Sequence, residues 1–360
     1  MTWKQFGSVA AFAGVLMVGA GLAQAQWSVI NLHPADASGS IAFAASGGQL
    51  AGLATVSGIT RASLWSGTAA SWVDLHLAGS IASQAFATSG GQQAGYAFVG
   101  RMVHASLWSG TAASWVDLNP AGSTDSRAYA ISGGQQVGSA DVGGVQRASL
   151  WSGTAASWID LNPAGSTGST AYAISGGQQA GVAQVGGIQA SLWSGTAASW
   201  VDLSPAGSAY SFALAISGGQ QAGYAEVGDA AHASLWSGTS ASWVDLNPTG
   251  STYSIANAIN GGQQVGEAQL GGVVRASLWS GTAASWVDLS AFLPAGFSSS
   301  VAKGISSDGV NTYVVGYGYN TITNRTEALL WTQPIPTPGV AGLLGLGGVV
   351  ALRRRRGVGR

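Results

Sequence analysis

The sequence predicts an all-β fold, a seven-bladed β-propeller of four-stranded repeats about 43 residues long. Three observations predict it. A Ser-Leu-Trp element recurs at near-constant spacing, a Trp-Val-Asp-Leu element recurs beside it, and each end of the repeat array carries only part of a unit.

The first element places tryptophan at Trp65, Trp108, Trp151, Trp193, Trp236 and Trp279, with a variant ending in Trp331. Successive spacings are 43, 43, 42, 43, 43 and 52 residues, so each copy is one structural unit. The second element supplies Trp72, Trp115, Trp158, Trp200, Trp243 and Trp286, and an altered copy begins at Trp27. Of 15 tryptophans, all but Trp3 belong to these two sets, two per unit. That regularity predicts a packing role between neighbouring repeats. A ring of sugar-stacking platforms is the alternative.

Within one copy, strand-like runs cover 115–118, 127–132, 135–142 and 147–152. Asn119-Pro120-Ala121-Gly122, Gly133-Gly134 and Gly143-Gly144 separate them as turn sequences. On this reading the Trp-Val-Asp-Leu run opens the meander of each copy. A four-stranded sheet cannot bury both faces alone, so the copies must stack on one another.

Phase predicts closure. The array begins with the strand at Trp27 and ends with the strand at Trp331, and both Leu32 to Trp65 and Leu75 to Trp108 span 33 residues. In a closed ring the N-terminal strand pairs with the C-terminal one and completes a seventh blade. In an open β-solenoid the same two strands would be unpaired edges.

The termini divide the chain into a leader at 1–25, a repeat domain at 26–333 and a tail at 334–360. Lys4, an apolar stretch and the small-residue site Ala23, Ala25, Gln26 have the order of a secretory signal peptide. A retained membrane anchor is the alternative. The tail carries Pro336 and Pro338, an apolar segment at 340–352 and the cluster Arg353, Arg354, Arg355, Arg356. A plain tail anchor is its alternative, although 13 apolar residues are short for a span. The chain has no cysteine, which excludes thiol chemistry, disulfides and cysteine metal sites. Between the terminal segments stand 7 basic and 14 acidic residues, a net charge near −7. Such a body is not expected to bind nucleic acid, and membrane contact is expected only through the C-terminal segment.

The tail resembles the PEP-CTERM sorting signals of bacterial surface proteins, with Thr337 where an acidic residue usually stands between the prolines. The resemblance implies processing by an exosortase-like enzyme. The repeats, through His104-Ala105-Ser106-Leu107-Trp108, His232-Ala233-Ser234-Leu235-Trp236 and the run from Ala258 to Gly266, resemble the extracellular HAF repeat. That family implies a propeller-like fold and an extracellular setting, and it brings no activity with it. Every copy here has Ser or Leu where the family has Phe.

Candidate chemistry is sparse. The four histidines, His33, His76, His104 and His232, fall in different repeats, and no hydrolase, zinc, EF-hand or phosphate-loop pattern is present. No cofactor is expected. Asp74, Asp117, Asp160, Asp202, Asp245 and Asp288, with Asn31, form a sevenfold set. They are either cation ligands or, as favoured here, side chains that tie down turns. The Gly-Gly-Gln-Gln runs read as hairpin turns rather than anion loops. Loops after the Trp-Val-Asp-Leu run differ most between copies, which places tolerance or recognition on one rim.

The seventh copy carries nine extra residues, and its Lys303, Asp308, Asn311, Tyr313, Tyr317, Asn324 and Arg325 are the candidate ligand surface. Decay of a terminal copy is the alternative reading. Together these features predict an exported, surface-displayed, non-enzymatic scaffold. Its expected partner is extracellular polysaccharide or a surface protein. The rival is a propeller hydrolase or lyase acting on extracellular glycans.

Overall fold

In the third repeat the strands are Ser123–Ser132, Gln135–Val142, Val145–Trp151 and Ile159–Asp160, joined in that order into one antiparallel sheet. Gly133 and Gly134 both take positive φ, +58° and +77°, which two-residue hairpin turns require and which glycine supplies without strain. After Trp151 the chain makes one 3-10 turn, Ala155–Ser157. The Ser157 hydroxyl fixes that turn by donating to the Thr154 carbonyl at 2.6 Å and accepting the Ser152 amide at 2.8 Å.

This is the computed structural model of the chain, and it describes residues 26 to 335. Ala23, Ala25, Pro336, Pro338 and Arg353 to Arg356 lie outside the described residues, as does most of the expected leader and tail. No described helix is long and apolar enough to cross a membrane.

Seven four-stranded antiparallel sheets form a seven-bladed β-propeller. The first strand of each blade packs against its counterparts in the neighbouring blades, and the seventh packs against the first, so these strands surround a central axis. The ring is closed by the N-terminal strand, Ser28–Asn31, which pairs with Arg325–Pro334 through Val29 with Trp331 and Ile30 with Leu330. The Leu32 amide extends the pairing to the Ala328 carbonyl at 2.8 Å. The open solenoid is therefore not the architecture.

One detail of the expected repeat differs. Val116–Asp117 does not open the third blade but forms the outer edge of the second, pairing with Leu107 and Ser106. The reason is local. The single 3-10 turn, Ala112–Ser114, turns the chain straight back onto the strand it has just left. The following loop, with its Pro-Ala-Gly sequence, then carries the chain inward to the next blade.

The two tryptophan sets divide their roles. Trp65, Trp108, Trp151, Trp193, Trp236, Trp279 and Trp331 are wholly buried. Trp108, in the second blade, packs on Ala51, Ala62 and Leu64 of the first and on Ala85 and Ala97 of its own. Burying an indole there stabilises the blade pair by roughly 3–5 kcal/mol, judged by the cost of Trp→Ala. Trp72, Trp115, Trp158, Trp200, Trp243 and Trp286 are half-buried. Each donates its indole N–H at 2.9 Å to the serine of the neighbouring Ser-Leu-Trp. Trp27, 7% exposed, joins the core beside the seventh blade.

A polar latch repeats between blades. The Ala105 amide donates to the Ser126 hydroxyl of the next blade at 2.9 Å, and Ala62 with Ser83, Ala148 with Ser169, Ala190 with Ser211 and Ala233 with Ser254 repeat the bond. At the ring seam Ala328 makes the same bond to Ser40.

Candidate functional site at the upper mouth of the axial channel

Every inner strand shares one β-bulge, seen as a register shift between Ala128 and Ala130 in the third blade, and the first, third, sixth and seventh carry a second irregularity near their start. The bulged residues are Phe43, Phe86, Tyr129, Tyr172, Leu214, Asn257 and Lys303. A bulge bends the strand and re-aims a side chain. Here it also folds the preceding carbonyl onto a glycine of the partner strand. A Cβ on Gly138 would stand 1.8 Å from the Arg127 carbonyl oxygen, so only glycine fits.

Consecutive bulge residues touch across blade boundaries. Phe43 and Phe86 lie 5.4 Å apart, Phe86 and Tyr129 5.3 Å, and Tyr129 and Tyr172 5.4 Å between ring centroids. On the other side of the ring Asn257 donates to the Ala302 carbonyl at 3.0 Å and accepts from Lys303 at 3.4 Å. The seven side chains thus form a collar around the axis, aromatic over four blades and polar over two.

Above the collar, on the face where the inner strands begin, the third, fourth and fifth blades carry adjoining recesses. In the third blade Asp125, Arg127, Ser139, Asp141 and Gln146 line a recess of about 330 Å³. A second recess of about 120 Å³ adjoins it through Gln146 and is lined by Thr170, Tyr172, Val182 and Phe212 among others. A third, of about 330 Å³, shares Gln184 and Ile188 with the second. Together they make one groove from the third blade to the fifth. Aromatic rings border it: the Arg127 guanidinium lies 5.8 Å above Tyr96, and Phe212 stacks on Tyr224 at 4.9 Å. Tyr210 meets both of the latter rings edge-on.

The charges of the mouth are tuned by burial. Burial raises the Asp125 carboxyl above its usual range, against the pull of Arg127 and with help from Asp141. Burial, then neighbouring tyrosines, push the Tyr172 and Tyr224 phenols up to about 12, so both remain hydrogen-bond donors. In the sixth and seventh blades burial raises Glu267 and lowers Lys303, and each is partly restored by the other.

Differences between repeats concentrate in this mouth. One cross-strand pair shows it: Ile41 with Leu53, Gln84 with Tyr96, Arg127 with Ser139, Thr170 with Val182, Phe212 with Tyr224, Ile255 with Glu267, and Val301 with Tyr317. No two blades carry the same pair.

The sevenfold aspartate set lies elsewhere, on the outermost strands. One carboxylate oxygen of each aspartate accepts the backbone amide two residues on, at 2.8 Å, as from Asn119 to Asp117. The other pairs across the sheet: Arg61 with Asp74, His104 with Asp117, Arg147 with Asp160, His232 with Asp245 and Arg275 with Asp288, at 2.6–2.8 Å. At the seam the polarity inverts, and Asn31 donates to Glu327 at 2.7 Å. Among the described residues no group of three or more histidines or carboxylates could hold a metal. His33 and His76 each bond a latch serine at 2.7 Å, the role Asn119 plays in the third blade.

The seven candidates of the last repeat are not gathered in one place. Lys303 sits in the collar and Tyr317 in the mouth. Asp308, Asn311 and Tyr313 lie at the opposite hairpin end, where Asp308 accepts two backbone amides and the Tyr313 hydroxyl. Asn324 accepts from Tyr319 in the upper turn, and Arg325 pairs with Glu327 at 2.9 Å. The collar residues of the other blades escaped the sequence reading. Comparing the repeats column by column would have found them, because the bulge column changes type while its flanking residues are alanine everywhere but at Gly304.

No protein-family model and no curated protein sequence matches this chain. Several solved structures do. Puromycin hydrolase is 12% identical with a TM-score of 0.57, over 81% of this chain and 53% of its own. The β-propeller domain of the Trilobed protease from Pyrococcus furiosus is 10% identical with a TM-score of 0.56, over 84% and 98%. A puromycin-hydrolyzing peptidase of Mycobacterium tuberculosis is 15% identical with a TM-score of 0.55, over 85% and 56%. This chain spans about half the length of the two puromycin-hydrolysing proteins. The Pyrococcus domain is described as having an open velcro topology, whereas this ring is closed by its own N-terminal strand. At such identities the likeness shows the β-propeller fold alone.

Proposed function

We propose that this chain is an exported scaffold that binds extracellular polysaccharide through the upper mouth of its ring. One observation carries the reading: side chains that differ from blade to blade concentrate around an aromatic-lined mouth, while the layer between blades barely changes. Sugar rings present apolar C–H faces and polar edges. Amphipathic aromatic rings beside Asp, Gln, Arg and Ser suit both. Export rests on the leader at 1–25, and display at the cell surface by an exosortase-like enzyme rests on the tail at 334–360.

A glycan array probed with the purified repeat domain tests the reading. Binding to one or more polysaccharides, weakened at least about 10-fold by Tyr172→Ala, is expected. An array with no bound glycan removes the proposal. The Asp125–Asp141 pair favours a second reading, hydrolysis of a glycosidic bond, because two carboxylates in a recess with one raised are the elements of acid–base chemistry. Turnover of any glycoside substrate, abolished by Asp125→Asn, would establish it over simple binding.

A further inference from the structure

Of the seven cations in the described ring, Arg61, Arg127, Arg147, Arg275 and Arg325 each form an ion pair with a carboxylate, and Arg101 sits on an exposed hairpin turn. Lys303 alone is drawn inward without one. Its ammonium carries three donors, yet its one hydrogen bond is the 3.4 Å contact to Asn257. Glu267, half-buried on the neighbouring blade, accepts no hydrogen bond and forms no ion pair among the described residues. The two charges are each other's principal electrostatic neighbours but stand farther apart than the 4.0 Å of an ion pair.

Two partly desolvated, opposite charges left without an ion pair or a strong hydrogen bond are costly. A ligand group that satisfies both must accept from an ammonium and donate to a carboxylate, and it need add no net charge. Two adjacent hydroxyls do this, since each can donate and accept. Phe43, whose backbone carbonyl lies against Gly304 next to Lys303, and Tyr317 on the second strand of the seventh blade are the aromatic residues of this sector, suited to the apolar face of the ring that carries those hydroxyls.

We propose that the sector of the mouth between the sixth and seventh blades is a subsite for the vicinal hydroxyl pair of a neutral hexopyranose. Lys303 donates to one hydroxyl and Glu267 accepts from the other. This rests on the reading of the mouth as polysaccharide-binding and names the sugar chemistry it selects. A uronate carboxylate placed there would accept from Lys303 but could not donate to Glu267, and an ammonium would donate to Glu267 but could not accept from Lys303.

The test is titration calorimetry of the protein with soluble mannan, a soluble β-glucan, the O-methylated form of each, and polygalacturonate. At least one neutral polymer should bind, with O-methylation weakening it 10-fold or more and polygalacturonate binding less well. Glu267→Gln, which keeps the shape, and Lys303→Met should each weaken the neutral polymer at least 10-fold at an unchanged melting temperature. Neutral binding that survives both variants, or O-methylation, sinks the subsite and leaves the mouth as a binding surface. Preference for polygalacturonate also sinks it. If the protein binds none of these polymers, the subsite and the polysaccharide reading fall together. The O-methylated polymers need no variant, so the test stands even where a substitution disturbs folding.

Discussion

The layer between blades and the upper mouth are built on the same inner strands, but their sequences behave oppositely. Between blades the same latch serine, the same alanine donor and the same buried tryptophan recur around the ring. At the mouth the bulge residue runs through Phe, Tyr, Leu, Asn and Lys. The first region must satisfy a geometry that repeats with each blade, and one solution serves every copy. The second lines the axis, where each side chain meets mainly another that varies, so the set is free to differ. Stability is therefore shared evenly around the ring, while discrimination is local.

The seam is where this even sharing is weakest, since one blade depends on a strand from the far end of the chain. Deleting residues 26 to 33 removes a paired strand together with buried Leu32 and Trp27. A loss of at least about 5 kcal/mol and of a single cooperative transition is expected in a thermal melt followed by circular dichroism. Retention of the wild-type melt would contradict the closed ring. Within the regular layer, Trp151→Ala should cost about 3–5 kcal/mol by denaturant titration. Gly138→Ala should cost about 1–3 kcal/mol or more, because its Cβ collides with the bulge carbonyl, and it should displace Tyr129. At the nearby turn Gly144→Ala meets no atom and should cost only about 1 kcal/mol, for its positive φ of +74°.

Acid should reach the seam first. His33 is lowered by burial, and Arg325 lowers it further, while its bond to the Ala37 carbonyl and the Glu327 charge oppose them. Its Nε2 donates to that carbonyl, so in the neutral ring favoured by burial Nδ1 accepts from the Ser40 hydroxyl. The unfolded chain then binds the proton more readily. The stability His33 contributes is complete above its unfolded value near 6.5 and is lost as pH falls from there through the lower folded value. His33→Asn, copying Asn119, should flatten the melting temperature between pH 7 and pH 5, and an unchanged slope would remove His33 from the latch. Glu327 responds later. Burial pushes it up, but hydrogen bonds from Thr323, Asn320, Arg325 and Asn31 hold it at about 2, so its contribution is lost only as pH falls from its unfolded value near 4.5.

The smallest effect concerns the one blade whose aspartate has no cross-strand cation. Gln189 stands opposite Asp202 where the five other aspartate-bearing blades have Arg or His, and its side-chain oxygen is buried without a partner. Gln189→Arg should restore the ion pair and raise stability by about 0.5–1 kcal/mol.

Much of the ring was legible because its period is long and its tryptophans are rare. The spacing of Trp65 to Trp331 fixes the number of blades, and the split unit at Trp27 and Trp331 fixes the closure. The blade boundary was not legible. Whether a two-residue strand such as Val116–Asp117 turns back or moves on depends on one 3-10 turn, which leaves little trace in composition. The aspartate and histidine roles were half visible. Asp117 announces a turn, but its second partner, His104, comes from the adjacent strand 13 residues earlier. The mouth was hardest, because a bulge moves Tyr129 to the axis against the simple alternation of a strand. The divergent seventh repeat drew attention as a unit, yet its hairpins send Asp308 and Arg325 to opposite ends.

The seam has one more consequence, for biosynthesis. The strand made first waits for a partner made last, with Val29 and Trp331 separated by nearly the whole ring. A polypeptide cut short before Arg325 offers Ser28–Asn31 nothing to pair with and leaves the first blade without its latch from Ala328. Pairing so distant in sequence forms slowly and late. The ring thus acts as a ruler on its own polypeptide, since unfinished copies keep a raw sheet edge exposed to quality-control proteases.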